Sequence, residues 1–215
     1  MVINEIVDFL AIIATIIPVF LISISFHEFS HAFIAYLLGD DTAKNYGRLT
    51  LNPLAHLDFW GTTFFIFLRF GWARPVPVNL DNFKYPRLYS FLTSMAGPFS
   101  NFILAFLSFL LLKHFPISWF SLPIAKSLIQ IFQVSASVNV MLGVFNLLPI
   151  PPLDGSSLLE LILPESLSYV MEWLYEYYFY IFLALFFLPG VRQVFFRILY
   201  VLITFVENFL FSLVF

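Results

Sequence analysis

The sequence predicts an all-α polytopic membrane protein: a bundle of about five transmembrane helices, between four and six, with a short re-entrant or β-hairpin element after the first helix. The 215 residues are 61% hydrophobic and only 11% charged, whereas soluble domains carry about a quarter charged residues. Thirty residues are Phe, more than a soluble core of this size would hide. Several apolar runs also reach the length of about 20 residues that a spanning helix needs.

The first apolar run covers about residues 9–38 and ends at Gly39, which two aspartates follow. This pattern is typical of a helix exit, and the internal Pro18 is tolerated in membrane helices. The start of the chain has no basic residue and no cleavage site after the apolar run. We therefore expect an uncleaved membrane segment instead of a signal peptide.

Residues 40–87 are the polar part of the chain and contain six of its ten Lys and Arg residues. Within them, residues 59–70 are apolar but make a helix of only about 18 Å, too short to cross a bilayer. This stretch predicts an interfacial or re-entrant piece or a β-hairpin. Pro75 and Pro77 exclude a helix over residues 73–80 and predict an extended edge segment.

The rest of the chain predicts four further spans, at about residues 88–112, 125–148, 169–188 and 191–215. There is no repeat and no separate soluble domain. Residues 1–215 are therefore predicted to form a single membrane domain, with its core motifs in residues 20–160 and a C-terminal helix pair in residues 169–215.

The distribution of basic residues predicts the orientation in the membrane. Lys and Arg concentrate in cytoplasmic loops, so residues 40–87 are expected in the cytoplasm, with the site near the cytoplasmic face of the cell (inner) membrane. Arg192 and Arg197 fall on the outer side in this scheme, which leaves the topology of the last two helices open. The net charge of −3 argues against nucleic acid as a partner, and the expected surrounding is the lipid bilayer.

His27, Glu28 and His31 form an H-E-x-x-H pattern inside the first apolar run. On a helix, positions i and i+4 share one face, so both imidazoles reach a single metal ion and Glu28 is placed to act on a water molecule. Each ionisable group at bilayer depth costs roughly 2.5–3.5 kcal/mol on insertion scales. An inert, solvated position at the helix end is the alternative, but it does not explain the ligand spacing.

A catalytic zinc site usually has three protein ligands, and the chain contains no cysteine. The remaining candidates for the third ligand are His56, Asp58, His114, Asp154 and the acids from Glu160 onward. Asp154 is preferred because it follows a proline-rich turn, precedes Gly155 and lies between two apolar segments. His114 lies at a span end and is expected to be a solvated interface residue.

These motifs resemble those of the site-2 protease family of intramembrane zinc metalloproteases, in its compact form without PDZ or CBS domains. H-E-F-S-H at residues 27–31 is similar to the first family motif, and N-L-L-P-I-P-P-L-D-G at residues 146–155 resembles the second. The resemblance covers about residues 20–160. It extends to Asn52-Pro53 with His56 and Gly61, to Gly71-Trp72, to P-V-P-V-N at residues 75–79, and to Ala96-Gly97-Pro98 with Asn101.

The resemblance implies one zinc ion per chain, held by His27, His31 and Asp154. It also implies that Glu28 is the general base and that Asn146 is a polar group near the scissile peptide. The implied activity is hydrolysis of peptide bonds in or next to transmembrane segments of membrane proteins, as in regulated intramembrane proteolysis. The implied partner is a membrane-protein substrate with a transmembrane helix.

The main alternative is a zinc-binding membrane transporter or metal-relay protein. Transport would need ionisable groups spread over several helices. Residues 88–112 contain no Asp, Glu or His, and Lys126 is the only ionisable residue in residues 125–148. Three acids in the last helix pair keep this alternative open: Glu172, Glu176 and Glu207. A purely structural membrane protein would explain the Phe content but not the two motifs together.

Overall fold

The computed structural model describes residues 2–58, 61 and 74–215, and these residues are predominantly helical. Their helices are α1 (Val2–Leu37), α2 (Thr42–Asn45), α3 (Pro53–His56), α4 (Pro86–His114), α5 (Leu122–Asn146), α6 (Ser156–Ile162), α7 (Ser168–Phe187) and α8 (Pro189–Val214). Short 3₁₀ turns occupy Leu80–Asn82, Ile117–Trp119 and Glu165–Leu167.

Within the described part of the chain, five helical segments are long and apolar enough to cross a membrane. They are Ile13–Leu37, Pro86–His114, Leu122–Asn146, Glu165–Phe187 and Pro189–Val214. The prediction of an all-α polytopic membrane protein with about five spans is therefore confirmed. The predicted re-entrant or β-hairpin element at residues 59–70 lies almost entirely outside the described residues.

The helix ends follow the sequence signals. Gly39 has a φ of +103°, a left-handed conformation that glycine adopts without steric cost. The backbone N–H of Asp40 then donates to the Ala35 carbonyl at 2.9 Å and closes the end of α1. Pro86 and Pro189 begin α4 and α8, where the missing N–H of proline costs nothing.

Helices α1, α4 and α5 pack against one another and form the core of the bundle. Their facing surfaces carry small buried residues, including Ala32, Ala105 and Ala136, which let helix backbones approach closely in a membrane. Helix α8 packs on α4 and α5 through an apolar cluster that includes Leu199 and Leu210. Helix α7 lies outermost, against α8 and α6.

The buried carboxylate of Asp40 holds the polar segment against the end of α1. It accepts hydrogen bonds from the Thr42 backbone and hydroxyl, from the Asn79 N–H at 2.8 Å and from the Asn82 side chain at 2.6 Å. Burial by itself would raise the pKa of Asp40, but these hydrogen bonds outweigh burial and lower the pKa below its ordinary value.

The segment at residues 74–79 is not helical, as Pro75 and Pro77 predict. Its first residue, Arg74, donates its N–H to the His56 carbonyl at 2.8 Å and accepts from the Arg48 guanidinium. The Asn79 N–H at its other end is bound by Asp40. The two ends of the segment are therefore fixed to the loop that follows α1.

Candidate metal centre

Two histidine rings and one carboxylate meet at the interior face of α1. His27 and His31 lie one helical turn apart, both buried, with ring centroids separated by 4.6 Å. Their Nε2 atoms lie 3.1 Å and 3.4 Å from Oδ2 of Asp154. Among the described residues, these three are the group of His, Asp or Glu side chains placed to share one metal ion.

The turn after α5 brings Asp154 to the histidines. The Leu153 N–H donates to the Ile150 carbonyl at 2.9 Å, and the Gly155 N–H donates to the Asn146 carbonyl at 2.7 Å, so the chain folds back on the end of α5. A Cβ atom at Gly155 would lie 2.2 Å from the Leu147 carbonyl oxygen. Only glycine fits there, so a steric constraint explains why glycine follows Asp154 in the proline-rich stretch.

Helix α4 closes the centre from the other side through Gly97. A Cβ atom there would lie 2.4 Å from Nε2 of His31 and 2.6 Å from Nε2 of His27. Any side chain at this position would therefore occupy the space between the two rings. Glycine at position 97 keeps the ligand atoms accessible while α4 and α1 stay in close contact.

Hydrogen bonds on the far side of each ring fix its orientation. Nδ1 of His31 lies 2.8 Å from the Thr93 carbonyl oxygen, and Nδ1 of His27 lies 2.7 Å from Oδ1 of Asn101. These oxygens only accept, so both Nδ1 atoms carry hydrogen and both neutral rings point an Nε2 lone pair at Asp154. Metal-binding histidines usually have such a partner on their other nitrogen.

The donor set fits a zinc ion. Oδ2 of Asp154 is buried without a hydrogen-bond donor among the described residues, although two ring nitrogens lie near it. Lone pairs on three facing atoms repel one another unless a cation lies between them. Tetrahedral zinc with bonds of about 2 Å places neighbouring ligand atoms about 3.3 Å apart, close to the distances from Asp154 to the two rings.

The charge of Asp154 depends on the same neighbours. Burial by itself would raise the pKa of Asp154, but without a metal ion the charge of a protonated His31 and the contacts with both rings lower it below its ordinary range. The buried carboxylate therefore requires a cation beside it. A metal ion shared with the two histidines would meet that requirement.

Glu28 lies between the two histidines in sequence and is also buried. Arg48 is the nearby cation that interacts with it electrostatically: burial lowers the pKa of Arg48, and attraction to Glu28 partly offsets that change. Glu28 is separate from the group of three candidate ligands. Its predicted role as general base remains a prediction.

The other candidates for the third ligand lie elsewhere. His56 is fully buried, and its Nε2 lies 2.7 Å from the Thr50 carbonyl oxygen, to which it donates. Asp58 accepts from the Gly61 N–H at 2.8 Å. His114 is exposed at the end of α4, as expected of an interface residue.

Asn146 is the last residue of α5 and is half-buried. Its side-chain N–H group donates to the Leu142 carbonyl at 3.0 Å. The predicted role of Asn146 near the scissile peptide is neither supported nor excluded by this contact and stays a prediction.

Three residues around the centre were not predicted from their chemistry. The family resemblance includes Gly97 and Asn101, but no chemical pattern in the sequence marks either residue. Asn139, which hydrogen-bonds to Asn101, is not part of the resemblance. A signal for Asn139 was present, because an amide inside a long apolar run needs a polar partner. The contribution of the Thr93 carbonyl has no sequence signal, since every residue carries that group.

Comparison with known proteins relates the chain to zinc metalloproteases. The profile of Peptidase family M50 matches residues 114–189, which include Asp154. The chain is 44% identical over 182 residues to "Putative zinc metalloprotease YwhC" of Bacillus subtilis (strain 168), covering 84% of this chain and 83% of the relative. No solved structure matches the chain.

Two further relatives are both named "Putative zinc metalloprotease Rip2". The protein from Mycolicibacterium smegmatis is 29% identical over 90% of this chain and 74% of its own length. The protein from Mycobacterium tuberculosis is 30% identical over 86% of this chain and 71% of its own length. The chain belongs to Peptidase family M50, the site-2 protease family of membrane zinc metalloproteases.

Proposed function

We propose that this chain is an intramembrane zinc metalloendopeptidase that hydrolyses peptide bonds in or next to transmembrane segments of other membrane proteins. The observation that carries the proposal is the meeting of His27, His31 and Asp154 at ligand distances inside a bundle of spanning helices. A soluble substrate would not need a site on such helices. Regulated cleavage of membrane-protein substrates follows as the physiological role.

Each residue of the centre has a distinct chemical task in this proposal. His27, His31 and Asp154 would hold the zinc ion, which when bound supplies Lewis acidity toward a carbonyl group and toward water. Glu28 takes the proton from the attacking water and delivers it to the leaving amine. Its burial keeps this proton transfer away from bulk solvent.

Asn146 is proposed to bind the substrate. A side-chain amide carries two N–H donors, and the Leu142 carbonyl accepts from this NH₂ group. A second N–H then remains for the carbonyl oxygen of the scissile peptide, where it would stabilise the charge that develops in the transition state.

The segment at residues 74–80 is proposed to capture the unwound substrate as an added strand. A helical substrate hides its carbonyl groups in i→i+4 hydrogen bonds and must unwind before hydrolysis. Proline has no N–H, so Val76 and Val78 are the residues between the fixed ends that can donate to an added strand. Methylation of either amide nitrogen, introduced by semisynthesis, should slow cleavage of helical substrates more than cleavage of a short flexible peptide.

The proposed location is the cell membrane, with the centre near the cytoplasmic face and lipid around the helices. The excess of Lys and Arg in residues 40–87 supports this orientation. The proposed partners are membrane proteins with a transmembrane helix. Nucleic acid is not among them, in keeping with the net charge of −3.

The test is cleavage of a panel of single-span membrane proteins by the purified protein in lipid, with and without a zinc chelator. Cleavage that stops with the chelator and returns with zinc is expected. Glu28→Gln should keep stoichiometric zinc but lose cleavage, because the amide cannot accept the proton. Cleavage by Glu28→Gln at the wild-type rate would exclude Glu28 as the general base.

A further inference from the structure

Two amide side chains, Asn101 on α4 and Asn139 on α5, are buried between the membrane-spanning helices. A buried amide is costly unless it is hydrogen-bonded. Both amides belong to one series of hydrogen bonds that starts at the backbone of α1 and α5 and ends at His27. The backbone carbonyls at the start of this series determine which group donates in each of its hydrogen bonds.

Backbone carbonyls accept hydrogen bonds and never donate them. The Ser23 hydroxyl donates to the Val19 carbonyl at 2.8 Å, so its oxygen is left to accept. The side-chain nitrogen of Asn139 lies 2.9 Å from that hydroxyl oxygen and 2.9 Å from the Ser135 carbonyl oxygen. Because both neighbours accept, Asn139 must turn its NH₂ group toward them and its Oδ1 toward Asn101.

The orientation of Asn101 follows from that of Asn139. Oδ1 of Asn139 lies 2.9 Å from the side-chain nitrogen of Asn101, which is also 3.3 Å from the Ser23 carbonyl oxygen. Asn101 therefore presents its NH₂ group to these two acceptors. Its Oδ1 faces Nδ1 of His27 at 2.7 Å, so that nitrogen carries the hydrogen and Nε2 keeps the lone pair.

The second histidine is oriented in a different way. Nδ1 of His31 donates directly to the Thr93 backbone carbonyl at 2.8 Å. No side-chain substitution removes that acceptor. His31 is therefore an internal control for any substitution that acts on His27 through the amides.

We propose that Asn139 is a positioning residue that acts through Asn101 to fix the tautomer and orientation of His27, so that the ring presents Nε2 to the metal ion. The inference rests on the metal centre of the proposed function but not on any substrate. Asn101 contacts His27 at Nδ1, whereas Nε2 of the same ring faces Asp154. Partners of this kind commonly change metal affinity by about 10-fold to 100-fold when they are replaced.

Zinc affinity, measured by competition with a chelator on the purified protein, tests the order of action. Asn101→Leu should weaken zinc binding by about 10-fold to 100-fold and Asn139→Leu by about 10-fold. In the Asn101→Leu background, Asn139→Leu should add no further loss, because the connection to His27 is already broken. An equal loss from Asn139→Leu in both backgrounds would overturn the proposal.

Ser108→Ala is the matched control. The Ser108 hydroxyl donates to the Leu104 carbonyl at 2.8 Å, so its oxygen accepts from the Ser135 hydroxyl at 2.8 Å, and this variant also removes a buried hydrogen bond between α4 and α5. It orients neither the Asn101 amide nor the Asn139 carbonyl group. Zinc affinity should therefore match the wild type, and a loss equal to that of Asn139→Leu would show that helix packing alone explains the effect.

Nitrogen NMR of histidine-labelled, metal-free protein reads the tautomer directly, at a pH where the rings are neutral. The wild type should carry hydrogen on Nδ1 of both His27 and His31. Asn139→Leu should give a tautomer mixture at His27 and leave His31 unchanged. If this variant does not fold, the wild type still decides, since hydrogen on Nε2 of His27 would overturn the proposal whether or not the protein is a protease.

Discussion

The three-helix core and the C-terminal helix pair have similar span lengths, but very different shares of their apolar stretches are buried. In the core spans of α1, α4 and α5, 28%, 39% and 28% of the most apolar stretch lies inside the protein, against 6% in each of the two C-terminal spans. The residues of the candidate metal centre lie on the core helices and on the turn after α5. The C-terminal pair instead presents exposed aromatic side chains such as Trp173, Phe179 and Phe205.

This difference assigns the chemistry to the core helices and contact with the membrane to the C-terminal pair. Helix α8 contributes apolar packing to the core through Leu199 and Leu210, but no residue of α7 or α8 belongs to the described ligand group. Core substitutions that alter the metal centre should therefore remove zinc and activity, whereas comparable substitutions in the pair should leave both intact.

The largest expected effect comes from a matched pair of glycine substitutions. Gly97→Ala places a Cβ atom 2.4 Å from Nε2 of His31, so zinc content should fall to background. Displacement by about 1 Å is enough to cost about 100-fold in rate. Gly190→Ala, at the elbow between α7 and α8, meets no atom within 4 Å and should keep wild-type zinc content and cleavage. Equal losses in both variants would contradict the separation of the two regions.

The next effect concerns the third ligand. Asp154→Ala should lower zinc affinity by more than about 100-fold, since the loss of a ligand exceeds that of a ligand's hydrogen-bond partner. His56→Ala and His114→Ala should keep bound zinc, because His56 hydrogen-bonds to the loop after α1 and His114 is exposed. Metal analysis of the three purified variants distinguishes them. Loss of zinc from His56→Ala together with retention of zinc in Asp154→Ala would show that Asp154 is not the third ligand.

Much of this arrangement could be predicted from the sequence. The number of spans follows from apolar runs, and the facing positions of His27 and His31 follow from helical spacing alone. The proximity of Asp154 does not follow from spacing, because it depends on how α4 and α5 pack on α1. It was predicted through the family resemblance and a proline-rich turn.

The residues that support the centre were harder to predict. The importance of Gly97 arises from the distance between two helix backbones, which a single sequence does not encode as a pattern. Asn139 did carry a signal, since it is an amide in the interior of an apolar span. Its partners Ser23 and Asn101 are far from it in sequence, so only the packed structure gives the direction of the hydrogen bonds.

A smaller effect is expected at Asp40, which attaches the polar segment to the core. Asp40→Asn places an N–H group among donors and should lower the free energy of unfolding by about 1–3 kcal/mol. The lowered pKa means that the carboxylate stabilises the fold fully above its unfolded value of about 3.9 and loses this contribution as pH falls through the folded value. Thermal unfolding should therefore show a constant difference near neutral pH that shrinks in acid. A constant difference down to the most acidic pH would contradict the assignment.

The smallest effect is expected at Glu207 of the C-terminal pair. Its Oε1 accepts a hydrogen bond from the Ser137 hydroxyl at 2.7 Å, and glutamine keeps a carbonyl oxygen at that place. Glu207→Gln should change the free energy of unfolding by less than about 1 kcal/mol, because the hydrogen bond is retained, and should leave zinc content and cleavage unchanged. An intramembrane acid is otherwise a common sign of an ion or proton pathway. A loss of cleavage in this variant would place ionisable chemistry in the C-terminal pair and contradict the separation of the two regions, and Glu172 and Glu176 would be the next acids to replace.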